Sequence, residues 1–218
     1  MAEYMIYEGN LCMDVDIIKI KGDWTEVVDD CRATVKKDNL GKDPSNKFKK
    51  EILIAEHDPI RDIEIKFKIK NLAYWVAMHL KTHIWRSRTN TQRNDRQNLY
   101  DRNKASQDAK VDFIGDMNSQ HYIDTSRKRL CYKAAAETRE TWEAVKVALR
   151  EVQPEISDVG VPNCVYRCGC PEKDGCGFWD SFLYWVKNKK YITSIENLSI
   201  QDRYDLYNEY FYDVKYRK

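Results

Sequence analysis

Between positions 63 and 70, Ile63, Ile65, Phe67 and Ile69 alternate with Glu64, Lys66, Lys68 and Lys70. A side-chain period of two puts the four apolar residues on one face of a strand and the charges on the other. Such a strand needs partner strands at its edges and a second layer over its apolar face. The β-branched run Val15 to Ile20, leaving into Gly22, supplies a second strand. The covering layer is predicted from helical spacing: Val27, Val28, Cys31 and Val35 in 24–36, and Leu72, Trp75, Val76, His79 and His83 in 72–83. A long helix is expected from about Asn118 through Leu149, ending before Pro154, with Ile123, Leu130, Ala134, Trp142, Val145 and Leu149 near one face. Ser199-Ile200-Gln201-Asp202 reads as a capping box opening a last helix with Tyr204, Tyr207, Tyr210 and Phe211. The stretches 37–46, 92–110 and 162–177 read as loops, the last a Cys/Gly/Pro turn cluster.

A chain of 218 residues is long enough for one domain with a sizeable core. Residues 1–160 are expected to form its α/β body, and 161–218 a Cys-rich turn and aromatic helical extension of the same domain. Lys and Arg number 37 against 35 Asp and Glu, a net charge of +2. That balance lacks the basic excess of a general nucleic-acid or membrane binder, so neither partner is expected. No apolar run approaches the roughly 18–20 residues of a membrane span, and the first residues, MAEYMIYEGN, have no signal-peptide core. Seven cysteines, an odd count, read as thiols in a reducing compartment, so a cytoplasmic protein is expected. Fourteen Tyr and six Trp exclude a disordered chain.

The near-zero net charge hides a local excess. Lys81, Arg86, Arg88, Arg93, Arg96, Arg102, Lys104 and Lys110 face only three Asp between 81 and 110. Beside His79 and His83, this stretch suits a phosphorylated small molecule, because guanidinium forks hold phosphate bidentately; a solvated loop is the plain alternative. His79 and His83 share one helix face at a metal-pair spacing, but the Glu of the zinc-protease motif is missing between them. Cys164, Cys168, Cys170 and Cys176 form C-x3-C-x-C-x5-C, a candidate structural zinc set or simply small residues in a tight turn. The C-x-C step strains a single tetrahedral site. No Walker, G-x-G-x-x-G or G-x-S-x-G motif occurs, so no protein nucleophile is expected and any catalysis is expected to depend on a bound cofactor.

The order of these elements resembles the flavin-dependent thymidylate synthases over about residues 15–145. Asn118, Asp124, Arg129, Ala134, Ala135, Glu137 and Arg139 follow the family's N-x5-[N/H]-x4-R helix and its R-x4-A-Q-x-E-[IV]-R continuation, with Ala135 in place of Gln and Asp124 in place of Asn or His. Glu56-His57 resembles the E-H before the family's strand, and Asp29-Asp30-Cys31-Arg32 its early A-A-R helix end. The signature R-H-R-x7-S-x-R departs most. Lys81-Thr82-His83 with Thr91-Gln92-Arg93 keeps its spacing; Thr82-His83-Ile84 shortens it by one residue; Arg86-Ser87-Arg88 sets Arg96 on the serine. The sequence is similar to a divergent, phage-type branch.

The resemblance implies an α+β fold with an antiparallel sheet packed with long helices. It implies reductive methylation of dUMP to dTMP, with FAD as cofactor and NADPH and methylenetetrahydrofolate as co-substrates, in a homotetramer with active sites between subunits. By the same likeness, Thr91, Arg93 and Arg129 are expected on the nucleotide, and His57, His79, His83, Asn118 and Asp124 around flavin. Another C5 modification of a pyrimidine nucleotide, such as hydroxymethylation, and a non-catalytic nucleotide-binding homologue that has lost flavin are the alternatives.

Overall fold

A computed structural model describes residues 14–90, 104–192 and 194–215. The alternating segment is the centre of the sheet. Strand β2 (Glu64–Ala73) buries Ile65, Phe67 and Ile69 and leaves the intervening lysines half-buried. It pairs antiparallel with β1 (Val15–Lys21) on one side and β4 (Lys110–Asn118) on the other, setting Phe67 opposite Ile17 and Gly115. The short β3 (Arg86–Thr89) adds to β4, giving a four-stranded antiparallel sheet in the order β1-β2-β4-β3. β1 carries a bulge between Ile17 and Lys19.

Around this sheet lie α1 (Trp24–Ala33), α2 (Asn46–Ala55), α3 (Tyr74–Lys81), α4 (Ser119–Arg129) and α5 (Ala136–Arg150). They are followed by α6 (Pro154–Asp158), α7 (Asn163–Arg167), α8 (Phe178–Lys190) and α9 (Ile200–Tyr210). The fold is α+β. Ser199 and Asp202 form the expected capping box of α9, and Asp23 and Glu26 form another at α1. None of the helices among the described residues is long and apolar enough to cross a membrane. Beyond residue 160, Val161, Val165, Phe178, Phe182, Tyr207 and Phe211 join the same core cluster as the sheet.

Several expectations need correction. The long helix from Asn118 to Leu149 is two helices, α4 and α5, separated by residues 130–135. No Gly or Pro marks that break; Tyr132 leaves the helical path to stack on Phe178, ring centroids 4.7 Å apart. β3 and β4 were not anticipated. β3 is four polar residues, and β4 hides its alternation because the buried face reads Val111, Phe113, Gly115, Met117. α2 also went unread: Ser45 caps it by accepting from the Phe48 amide. The turn cluster at 162–177 opens with the one-turn α7.

The core is aromatic where the sheet meets α5. Trp142 is fully buried, with the rings of Tyr122, Phe67 and Trp85 at 5.9, 6.0 and 6.3 Å. Its indole N–H donates to Ser126 Oγ at 2.9 Å, so its one polar atom is satisfied inside. Gly115 makes the arrangement possible. A Cβ there lies 2.4 Å from the Phe67 ring and 2.8 Å from Trp85, inside van der Waals contact for rigid rings.

Lys146 of α5 is fully buried and donates to the Ser157 carbonyl at 2.6 Å. Burial pushes its pKa down to about 7 from 10.5, against a partial counter-pull from Asp158. Between those two values the unfolded chain holds a proton that the folded chain has shed. Stability therefore rises with pH across that window, by on the order of 4 kcal/mol for this group. Lys146→Met, which keeps the stem and removes the titrating amine, is expected to flatten that rise. Chemical unfolding of both proteins at pH 7 and pH 9.5 measures the difference between their slopes.

Candidate functional site

Helix α4 organises the polar chemistry because it carries different charges on its two sides. Asn118 starts it, its side chain accepting from the His121 amide. Gln120, Asp124 and Arg127 then recur at helical spacing along one face, while Arg129 falls on the other.

On the first face, Glu56 is the acceptor. It sits at the left-handed end of α2 (φ 52°) and receives Gln120 Nε2 at 2.6 Å as well as a close ion pair from Arg127. Arg127 also lies over the Tyr166 ring, 3.7 Å from its centroid, and within 3.5 Å of Asp124. Burial opposes the guanidinium charge, but the bonds to Glu56 outweigh it and its pKa is raised. This pair joins residues 71 apart in the chain, and no local pattern announces it.

On the second face, Arg129 meets the end of α3. Its Nε donates to His83 Nε2 at 2.7 Å, and one terminal nitrogen donates to the His79 carbonyl at 2.8 Å and Thr82 Oγ1 at 3.0 Å. Burial, then the charges of Arg129 and Lys128, pull the His83 pKa down to about 4. The ring is therefore neutral at pH 7. Since its Nε2 accepts from Arg129, its proton sits on Nδ1. His83 stacks on Trp85 at 6.2 Å, and Trp85 in turn donates to Thr125 Oγ1 at 3.1 Å. His79 pairs through Nδ1 with Thr138 Oγ1 at 3.1 Å. The result is an arginine fixed by two histidine residues and a threonine, with its own pKa lowered by burial.

A cavity of about 320 Å³ opens beside this arginine. Arg127, Lys128, Arg129 and Lys133 line it, with Glu172 and Asp180 as the acidic counterpart. Tyr132, Phe178 and Trp179 give it an aromatic wall. A basic pocket with flat apolar surfaces has the chemistry to hold a phosphorylated aromatic molecule.

No protein-family model matches the sequence, and no curated protein matches it. The fold does have a relative among solved structures. The chain is similar to the UMP/dUMP methylase PolB from Streptomyces cacaoi, crystallised with 5-Br dUMP. The TM-score is 0.52 at 11% identity, covering 67% of this chain and 94% of that one. At that identity the likeness is one of fold.

The expected site residues separate into groups. His79, His83 and Arg129 come together as described. Asp124 lies on the opposite face of α4 with Glu56 and Arg127, and Asn118 is engaged as the helix cap. His57 is exposed at the head of the 3-10 turn Asp58–Asp62. The five residues expected around flavin thus do not converge within one chain. Thr91 and Arg93 lie outside the described residues. The four expected metal ligands do not gather either. Cys164, Cys170 and Cys176 line the cavity, whereas Cys168 sits at the left-handed end of α7 and is not among its lining residues. Cys131, from the break after α4, lines the cavity with the other three. Among the described residues, no three His, Cys, Asp or Glu side chains stand close enough to hold a metal ion as placed.

Proposed function

We propose that the chain is a C5-modifying enzyme of pyrimidine nucleotides, acting as a thymidylate synthase on dUMP. The observation that carries this reading is the fold it shares with PolB, a protein named as a UMP/dUMP methylase, across two-thirds of its length. The resemblance of the Asn118–Arg139 segment to flavin-dependent thymidylate synthases, found independently from the sequence, points the same way. In this reading Arg129, a lining residue of the cavity held by His83, Thr82 and the His79 carbonyl, is the nucleotide-binding cation. Holding a guanidinium in place beforehand lowers the ordering cost of gripping a phosphate or uracil oxygen. The neutral His83 steadies that fork without adding a second cation.

In this proposal FAD would supply hydride drawn from NADPH, and methylenetetrahydrofolate would supply the carbon. Within the single chain His79 and His83 meet Arg129, Asp124 meets Arg127, Asn118 caps α4 and His57 is exposed, so in this proposal a flavin pocket would be completed between chains. A homotetramer, with sites completed between chains, is part of the same proposal.

Purified protein incubated with dUMP, FAD, NADPH and methylenetetrahydrofolate is expected to form dTMP, read by chromatography of the nucleotide pool. A different C5 adduct removes the synthase assignment and leaves pyrimidine modification. Absence of dUMP binding by calorimetry removes both.

A further inference from the structure

Three aromatic rings line the cavity beside Arg129, and two of them are already engaged. Phe178 is buried, with the rings of Tyr132, Phe182, Tyr207 and Tyr210 around it at 4.7–6.3 Å. Tyr132 is half-buried and takes two partners, the stacked Phe178 ring and the Arg139 guanidinium 4.3 Å from its centroid. Trp179 differs from both. It is half-buried, and its one ring neighbour among the described residues is Phe182, 5.8 Å away and tilted by 46°. A ring at that tilt does not lie flat on the indole, so no aromatic partner stacks on Trp179. Among the described residues its N–H also makes no hydrogen bond, although a tryptophan in a protein interior usually finds one.

The indole nevertheless stands on a rigid element. Trp179 is the second residue of α8, and Phe178, Phe182 and Val186 are buried one turn apart along that helix, fixing it to the core. Lys128, Arg129 and Lys133 line the same cavity. Among the described residues none of the three has a carboxylate partner. Arg129 is bonded to His83, Thr82 and the His79 carbonyl, none of them charged at pH 7, and both lysines are exposed without an ion pair. Arg127, by contrast, is neutralised by Glu56. An unstacked flat ring beside uncompensated cations matches a ligand that joins a planar base to a phosphate.

We propose that Trp179 is the base-stacking residue of this cavity, with the pyrimidine of a nucleoside monophosphate lying against its indole and the ligand's oxygens held by Lys128, Arg129 and Lys133. The proposal rests on the nucleotide reading above and adds to it the residue that recognises the ring. Trp179 lies outside residues 15–145, so the likeness to a known family does not supply it. Every base has a π-face, so Trp179 sets affinity for a planar ring, and the choice among bases falls to groups that meet the ring's edge.

The test is calorimetry on the full chain, as wild type, Trp179→Leu and Trp179→Phe, with dUMP and with 5,6-dihydro-dUMP. The dihydro ring keeps the carbonyls, N3–H and phosphate but is puckered and has lost its π-face. Wild type is expected to bind dUMP about tenfold to a hundredfold more tightly than the dihydro compound. Trp179→Leu should lose about that factor on dUMP and little on the dihydro compound, so that the two affinities converge, while Trp179→Phe keeps most of the difference. Circular dichroism melting shows whether each variant is folded. In addition, 5-bromo-dUMP, whose heavy atom quenches a stacked indole, should lower wild-type tryptophan emission more than dUMP does, and Trp179→Phe should abolish that excess. Equal weakening of both ligands by Trp179→Leu would mark the side chain as structural and overturn the proposal. So would a wild type that does not distinguish the two ligands, or excess quenching that persists in Trp179→Phe. In each of those cases dUMP still binds and the nucleotide reading stands; a wild type that binds neither ligand overturns both.

Discussion

Replacing Trp142 with alanine is expected to lower the unfolding free energy by about 3–5 kcal/mol. The indole is fully buried, and its neighbours cannot collapse into the space it leaves. Phe67 belongs to the central strand and is hemmed in by Gly115, Trp85 is tied to Thr125 through its own N–H, and Tyr122 donates to the Ser157 carbonyl at 3.2 Å. The substitution also strips the Ser126 hydroxyl of its 2.9 Å partner. A Phe variant separates the two costs, since it restores most of the ring packing and none of the hydrogen bond. Urea unfolding followed by circular dichroism measures both. A loss below 1 kcal/mol for alanine would mean that this cluster is not the centre of the core. A loss of this size is a large part of what a domain possesses, so the alanine protein should melt at a markedly lower temperature.

Arg129→Ala is expected to weaken dUMP binding by about two orders of magnitude, equivalent to roughly 3 kcal/mol for a charge-assisted contact to a nucleotide. The same change has a second readout that does not depend on any ligand. Burial is the first reason that the His83 pKa stands near 4, and the Arg129 charge is the second, so removing the charge should raise it. An NMR titration of the His83 ring follows that shift directly. The linkage sign follows. Between about 4 and 6.5 the unfolded chain binds a proton that folded His83 refuses, so this residue's contribution to stability is lost as the pH falls through that window. Because the ring is only half-buried, solvent screening brings the contribution to about 2 kcal/mol or less. Arg129→Ala should shrink it further. An unaltered dissociation constant for dUMP would refute the nucleotide role, and an unaltered His83 titration would refute the hydrogen-bonded pair itself.

Parts of this molecule are written locally and parts are not. The β2 alternation, the α9 capping box and the aromatic stripe of α9 are short-range patterns, and each appears where the sequence places it. β4 carries the same period as β2 but substitutes Gly115 at one buried position, so the apolar count falls below what a strand pattern needs. The break between α4 and α5 has no local cause. Within it Tyr132 stacks on Phe178, a partner 46 positions away, and no local propensity scale contains that contact. The candidate site shows the same division. His79 and His83 are legible as one helix face, and Arg129 came from the resemblance of its helix to a known family. The Glu56–Arg127 pair and the place of Cys131 beside Cys164, Cys170 and Cys176 in the cavity lining depend on tertiary folding alone.

The sheet order β1-β2-β4-β3 leaves β1 and β3 as the outermost strands among the described residues. Both are poor templates for a further strand. β3 is only four residues long and presents Arg86 and Arg88 to solvent, while β1 is kinked by its bulge and exposes Asp16, Lys19 and Lys21. Charge, shortness and a bulge are the devices by which open sheets resist pairing with one another. Copies of this chain should therefore meet through helical and loop surfaces, without extending the sheet from one molecule into the next.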